Sequence, residues 1–448
     1  MSEVIFERKI YQKMLAWKEK SNGQTALRIE GARRVGKSTV VGHRVKNEYA
    51  SHLIIDFANV SSRTRKIFED GLGDGIDDFL MKLQVSEGVS LTPRDGAIVF
   101  DEVQKCTKAR EMIKYLVKDG RFDYIETGSL ITLITRQKNA LIPSEERHLE
   151  MYPMDFEEFL WTRGDKISIP YLRDRFERRE PLGDSFHSKF IQMFREYMVV
   201  GGMPRVVAAY GPSKDIEAAE EIKRDILDLY RNDLMNMEKL AGRNVKRVFE
   251  GIPSMLAMQN KLFSPGKIRK GSRTRDYLRA VEALNDARIT NTCIDCTDPS
   301  PALKLALDDE VMKCYLADTG LLVTMAFASE DAIGSEIYKE LILNRLSVNK
   351  GMFFENVVAQ QLVAAGHELI FNRFEIDDKN YEIDFLISRK NKVNPIEVKS
   401  SQYRQHKSLD AFMERYGSIL GESYIIHSKD LKQEAGVTFV PVYMTMFL

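Results

Sequence analysis

Ala26-Leu27-Arg28-Ile29-Glu30-Gly31-Ala32-Arg33-Arg34-Val35-Gly36-Lys37-Ser38-Thr39 decides the fold. Five residues of strand character run into G-x-x-x-x-G-K-S, and a helical pattern opens at Thr39. The glycines let the backbone turn tightly and aim N–H groups at phosphate oxygens. On this reading Gly31, Ala32, Arg33, Arg34, Val35, Gly36, Lys37, Ser38 and Thr39 cradle a nucleotide, with ATP and Mg²⁺ as the expected ligands. Lys37 reaches the β/γ-phosphates, the Ser38 hydroxyl is a metal ligand, and the helix N-terminus completes the anion site.

Outward from this stretch, His52–Phe57, Ala97–Phe100 and Phe122–Glu126 are further short apolar runs, each followed by a helical segment. Alternating elements of this kind predict a parallel, helix-covered α/β sheet. Ile10, Met14 and Trp17 fall at helical spacing and predict an amphipathic helix before it. The run at Ala97 ends in Asp101-Glu102. Asp101 is expected to hold Mg²⁺ and Glu102 to polarise the attacking water. Thr127-Gly128-Ser129, after the next strand, has two readings: Ser129 senses the γ-phosphate, or the three residues simply turn the chain.

With 448 residues, the chain has room for about three domains of roughly 150 residues each. Apolar residues make up 44% and charged residues 29%, which excludes a collagen, a disordered tail protein and a disulfide scaffold. No stretch approaches the roughly 18 apolar residues that span a bilayer, and Met1 to Lys20 carries no secretory h-region. A cytoplasmic protein without a membrane partner is expected. Lys+Arg and Asp+Glu both number 66, so any nucleic-acid contact depends on a local basic patch. Cys293 and Cys296 form a lone CxxC, with Cys314 further on, and no fourth ligand lies close enough in sequence for zinc. Ordinary core thiols are expected.

Strand signals vanish from about Asp155 to Leu240, where helical patterns are broken once at Gly201-Gly202-Met203-Pro204. A helical lid or connector fits this segment. Residues 241 to about 330 read as two helices followed by β runs at Ala287–Cys293 and Met312–Leu316, the order of a winged helix. Within it, Lys261, Lys267, Arg269, Lys270, Arg273, Arg275 and Arg279 face one acid, Asp276. Such a local excess suits a phosphate backbone and makes DNA the expected partner. A solvated charged face is the alternative.

The last hundred residues hold Glu355, Asp384, Glu397 and Lys399 in a helix–strand–strand context. Asp384 is expected within one strand, on the face opposite Ile383 and Phe385, while Glu397 and Lys399, two apart on a strand, share a face. Carboxylates of this kind hold Mg²⁺, and a lysine positions water and stabilises developing charge in phosphodiester hydrolysis. Asp384, Glu397 and Glu355 are the candidate metal ligands, and Asp384, Glu397 and Lys399 the candidate catalytic group. A structural ion pair on a retired scaffold is the competing reading.

The runs GARRVGKST, FDEVQK, ETGSL, YPMDFEEFL and GGMPR together resemble the AAA+ ATPases that carry a C-terminal DUF4143 domain. The resemblance covers nearly the whole chain. It implies an AAA+-type core, the site roles above for Lys37, Ser38, Asp101 and Glu102, and a prokaryotic source. The C-terminal arrangement resembles the PD-(D/E)xK, restriction-endonuclease-like fold. Many relatives carry Leu-x-Gly-Arg where this chain reads Ser144-Glu145-Glu146-Arg147-His148, so Arg147 stays either an arginine finger or a surface residue. Arg205 either reaches phosphate or caps a helix. The expected organisation is an ATPase core (1–153), a helical lid (154–240), a winged-helix-like domain (241–330) and a DUF4143 nuclease-like domain (331–448). An ATP-driven DNA-processing protein follows. The alternative is a nucleotide-dependent switch whose nuclease-like domain is inactive and binds a protein partner.

Overall fold

Strand β1 (Ala26–Glu30) is buried at both ends, and β3 (Gly96–Asp101) along its whole length. Strands this apolar on both faces need helices on both sides. In the computed structural model, which describes residues 4–129, 145–241, 244–327, 340, 350–400 and 405–448, that is their setting. They join β2 (Ser51–Asp56), β4 (Asp123–Gly128) and β5 (Glu146–Glu150) in a five-stranded sheet of order β2-β3-β4-β1-β5. Every pairing in it is parallel.

Helices α1 (Lys9–Ser21), α2 (Lys37–Glu48), α3 (Ser62–Asp70), α4 (Ile76–Glu87) and α5 (Thr107–Asp119) accompany the sheet. One core gathers Met14 and Trp17 of α1 with Val40, Val41 and Val45 of α2. The other is aromatic, with Phe68 packed edge-on against Phe57, Phe79 and Phe100. Because β4 lies between β1 and β3, the carboxyl ends of all three strands sit side by side, the usual place for a ligand in such a sheet.

The chain forms two compact units, Met1–Tyr152 with Asp286–Arg288, and Pro153–Asn285 with Ile289–Leu448. The second unit begins with helices α6 (Phe156–Trp161), α7 (Ser168–Arg178), α8 (Asp184–Val200), α9 (Pro204–Tyr210), α10 (Ile216–Ala241) and α11 (Val245–Leu256). The short α12 (Pro265–Ile268) and α13 (Leu278–Asp286) follow, and later α14 (Thr319–Ala326), α15 (Lys350–Ala364) and α16 (Lys407–Tyr416).

The Gly-Gly break between α8 and α9 has a steric cause. Gly201 is left-handed at φ +84°, and a Cβ on Gly202 would meet the Met154 carbonyl oxygen at 2.1 Å. The Gly202 N–H donates to Asp318 Oδ2 at 2.6 Å. The other oxygen of Asp318 caps α14 by accepting from Leu321 N–H at 2.9 Å.

The two β runs expected after the helices pair as a hairpin, but that hairpin is not free. β6 (Thr290–Cys296) and β7 (Leu307–Leu316) form an antiparallel hairpin with an irregularity between Ile294 and Asp295. β6 also pairs in parallel with β8 (Ile370–Ile376), which pairs with β9 (Lys379–Ile383). The hairpin is therefore half of a four-stranded sheet, β7-β6-β8-β9, completed by the C-terminal segment. Unpaired strand edges are costly to bury, and β8 covers this one.

A second sheet has the order β10-β11-β12-β14-β13, built from β10 (Phe385–Arg389), β11 (Lys392–Lys399), β12 (Ser423–His427), β13 (Lys432–Glu434) and β14 (Val437–Pro441). Asp384 is the single residue between β9 and β10. The single strand expected around Asp384, Ile383 to Ile387, is thus parts of two strands in two sheets, and Asp384 is the corner between them.

Candidate functional site

Gly36, at φ +98°, is the N-cap of α2, a conformation that glycine adopts without a Cβ clash. Gly31 has a different constraint, since a Cβ there would lie 2.2 Å from the Met151 carbonyl oxygen. Lys37 folds back into the loop, donating to the carbonyls of Gly31 at 2.8 Å and Ala32 at 2.9 Å. Its side chain is buried. Burial pushes the ammonium down to about 8, against the pull of Glu102, Asp101 and Glu30. Arg8, which sequence reasoning passed over, braces the loop from behind. It donates to the Val35 carbonyl at 2.9 Å and the Tyr152 carbonyl at 2.7 Å.

Ser38 Oγ donates to Asp101 Oδ1 at 3.0 Å. The same oxygen accepts from the Glu102 N–H at 3.1 Å and from the Thr127 hydroxyl. The strand order explains this convergence, because β4 delivers Thr127 between the ends of β1 and β3. Thr127, at the end of β4, is the residue that reaches Asp101, and Ser129, two residues on, is buried. The oxygens of Ser38 and Asp101 are hard donors held together, which fits Mg²⁺. Arg33, Arg34 and Thr39 belong to the same loop and the start of α2; Arg34 is left-handed at φ +67°. Glu102 is also left-handed, at φ +51°, and its Oε2 accepts from the Gln104 amide at 2.6 Å.

The acids of the second unit are arranged differently. Glu355 on α15 is buried and bonded to the ammonium of Lys261 at 2.7 Å and of Lys313 at 3.2 Å, and it accepts from the Tyr315 hydroxyl. Burial alone would raise its carboxyl, yet the two lysines hold it down to about 2. Lys313 also reaches Glu382 at 2.7 Å and Asp384 at 3.6 Å. Asp384 uses its other oxygen to accept from Val398 N–H at 2.8 Å. Burial and the charge of Glu355 raise its carboxyl to about 6. Glu397 and Lys399 do share a face of β11 and pair at 2.6 Å.

Among the described residues no group of three or more His, Cys, Asp or Glu side chains is disposed to hold a metal ion. The expected ligand set was Glu355, Asp384 and Glu397. Glu355 and Asp384 face a lysine, and Glu397 faces Lys399. The sequence did carry a signal for Lys313, a lysine within the apolar run Met312–Leu316, but the run names no partner. Cys106, Cys293, Cys296 and Cys314 are all free and buried.

Residues 23–160 match the family model AAA domain (AAA_14), and residues 350–445 match DUF4143, a domain of unknown function. The chain carries an AAA domain and a DUF4143 domain. Between them, residues 191–332 match a further domain of unknown function, DUF8612. The uncharacterized protein MJ1544 of Methanocaldococcus jannaschii is 21% identical over 372 residues, covering 81% of this chain and 72% of that protein. The Walker-type ATPase of Pyrococcus abyssi is 16% identical, with a TM-score of 0.41 over 72% of this chain and 96% of that chain. The ORC1 protein of Aeropyrum pernix, solved in complex with DNA, is 14% identical, with a TM-score of 0.27 over 77% of this chain and 95% of that chain.

The basic segment lies in the DUF8612 match. Lys267, Arg269, Lys270, Arg273, Arg275 and Arg279 are exposed. Lys261 is the exception, because its charge is spent on Glu355 of the DUF4143 domain. In the AAA domain, Arg147 is exposed on the edge strand β5. No described helix is long and apolar enough to cross a membrane.

Proposed function

We propose that this protein binds and hydrolyses ATP in its AAA domain and uses the nucleotide state to control the grip of residues 267–279 on DNA. One observation carries the ATPase half: Ser38 and Asp101, 63 positions apart, meet at 3.0 Å beside the Lys37 loop. In the proposed reaction Lys37 leaves the Gly31 and Ala32 carbonyls and pairs with phosphate. Ser38 and Asp101 would hold Mg²⁺, which neutralises phosphate charge when bound. Glu102 orients the attacking water and accepts its proton, with Gln104 fixing one of its oxygens. The DNA half is supported by six exposed cations against the single acid Asp276, a surface that gains affinity by releasing counterions from a phosphate backbone.

The DUF4143 domain is read as a module that binds without cutting. Cleavage by Asp384, Glu397 and Lys399 would need carboxylate oxygens open to a metal, whereas Lys313 engages Glu355 and Asp384, and Lys399 engages one oxygen of Glu397, whose other oxygen is buried without a hydrogen-bond partner among the described residues. This favours the nucleotide-dependent switch over the nuclease. The test measures ATP turnover and fluorescence anisotropy of labelled duplex DNA for the parent and Lys37→Ala, with and without ATP. ATP-responsive DNA affinity in the parent, absent in Lys37→Ala, is expected. DNA binding that is identical in both proteins and blind to ATP would sink the coupling, and absence of turnover in the parent would sink the ATPase.

A further inference from the structure

We infer that Lys313 is a resident cation: its ammonium takes the place among Glu355, Glu382 and Asp384 that a divalent metal would need, and replacing it opens a metal site. The inference rests on reading the DUF4143 domain as non-cutting and adds what occupies its acid cluster. Three carboxylate oxygens surround Lys313 Nζ, at 3.2 Å from Glu355, 2.7 Å from Glu382 and 3.6 Å from Asp384. The ammonium hydrogen-bonds Glu355 and forms ion pairs with Glu382 and Asp384.

Charge and burial agree with that placement. Lys261 adds a second ammonium on the other oxygen of Glu355 at 2.7 Å. Two lysines therefore supply the two positive charges that one divalent ion would bring to three carboxylates. Lys313 is wholly buried and Glu355 nearly so, and a buried charge persists only when it is paired and hydrogen-bonded. Burial opposes the Lys313 ammonium, but Glu355, Glu382 and Asp384 outweigh it and hold the group charged.

The origin of the lysines also matters. Lys313 on β7 and Lys261 before α12 lie in the DUF8612 match, whereas the three acids lie in the DUF4143 match. The cation of the acid cluster is thus supplied by the preceding segment of the same chain. It is held there by the strand pairing of β6 with β7 and β8. Removing the ammonium leaves buried carboxylates and a vacancy lined by oxygen, the chemistry that hard divalent and trivalent cations bind.

The test uses full-length, nucleotide-free protein carrying Asp101→Asn to silence the ATP-side metal, with Tb³⁺ as the probe. Tyr315, hydrogen-bonded to Glu355, is placed to sensitise its luminescence. Lys313→Gly is expected to gain one saturable Tb³⁺ site, at least tenfold tighter than any in the Lys313 protein. Mn²⁺ should compete for it, and adding Glu355→Gln should remove it. Tb³⁺ binding in the Lys313 protein that disappears with Asp384→Asn overturns the inference, as does a folded Lys313→Gly that gains no site.

Should Lys313→Gly fold only with metal, refolding in millimolar Mn²⁺ supports the inference, and failure to refold there overturns it. A plasmid assay of the parent separates the two levels. Mn²⁺-dependent nicking lost in Asp384→Asn overturns the non-cutting reading together with the inference. Absence of nicking combined with no metal gain in Lys313→Gly overturns the inference alone.

Discussion

The Gln104 side-chain amide donates to Glu102 Oε2 at 2.6 Å, and Glu102 itself sits in the left-handed region at φ +51°. A non-glycine residue there costs about 1 kcal/mol or more, so the surrounding structure maintains that backbone. The bond leaves the other carboxylate oxygen of Glu102 for water. Glu102→Gln is expected to lower kcat for ATP by about two orders of magnitude, the usual scale for a lost general base. Gln104→Leu, which keeps the size and removes the amide, should lower kcat by roughly tenfold at unchanged KM, as expected for an interaction used in the transition state. Steady-state turnover checks both, and a Gln104→Leu enzyme altered only in KM would contradict the positioning role.

Gly202 is closed to any side chain by the Met154 carbonyl. All three contacting atoms, the oxygen, nitrogen and carbonyl carbon of Met154, belong to backbone, so relief requires moving α9 or the segment before α6. Gly202→Ala should destabilise the second unit by about 3 kcal/mol, at the upper end for overpacking. Thermal unfolding followed by circular dichroism reads this as a lowered midpoint, while Gly266→Ala, with open space around it, is the matched control.

His427 on β12 is buried, and desolvation lowers its imidazole to about 4. The folded state therefore binds fewer protons than the unfolded state between that value and the ordinary 6.5. Its stabilising contribution is fully present above pH 6.5 and is lost as the pH falls toward 4. The total is roughly 3 kcal/mol at about 1.4 kcal/mol per pKa unit. Urea unfolding at pH 7 and pH 5 should show the acid loss in the parent, and His427→Leu should flatten it.

The exposed cations of residues 267–279 make a quantitative prediction about salt. Each phosphate contact contributes about −0.9 to the slope of log affinity against log salt on duplex DNA. Changing Lys270, Arg273 and Arg275 together to Ser should reduce that slope by between one and three contacts and weaken binding alike for all sequences. Lys261→Ser should leave the slope unchanged, since Lys261 is engaged with Glu355. A slope equal to the parent's in the triple variant would remove this surface from the DNA contact.

Much of the first unit was legible because its signals are local. The strand Ala26–Glu30 matches the structure residue for residue, and Ala97–Phe100 extends by one residue at each end. Apolar runs and glycines that permit a tight turn carry their meaning within a few positions. Strand β6 was placed three residues early, starting at Ala287 in place of Thr290. The mixed apolar–polar run there does not distinguish the end of α13 from the strand. The break at Asp384 was missed for a similar reason, since alternation continues unbroken through Ile383 and Phe385 although the chain changes sheets between them.

By itself the sequence determined the strand–loop–helix of residues 26–39, the acidic end of β3, the helical character of residues 156–256 and the exposed basic segment. Each depends on backbone conformation, hydrophobic period or local charge. Tertiary structure alone decided that Thr127 meets Asp101, and that Lys313 and Lys261 hold Glu355. Those outcomes depend on strand order and on which side chains are buried together. A buried acid's chemistry follows from the counter-charges packed against it, and for Glu355 these are Lys261 and, from 42 residues away, Lys313.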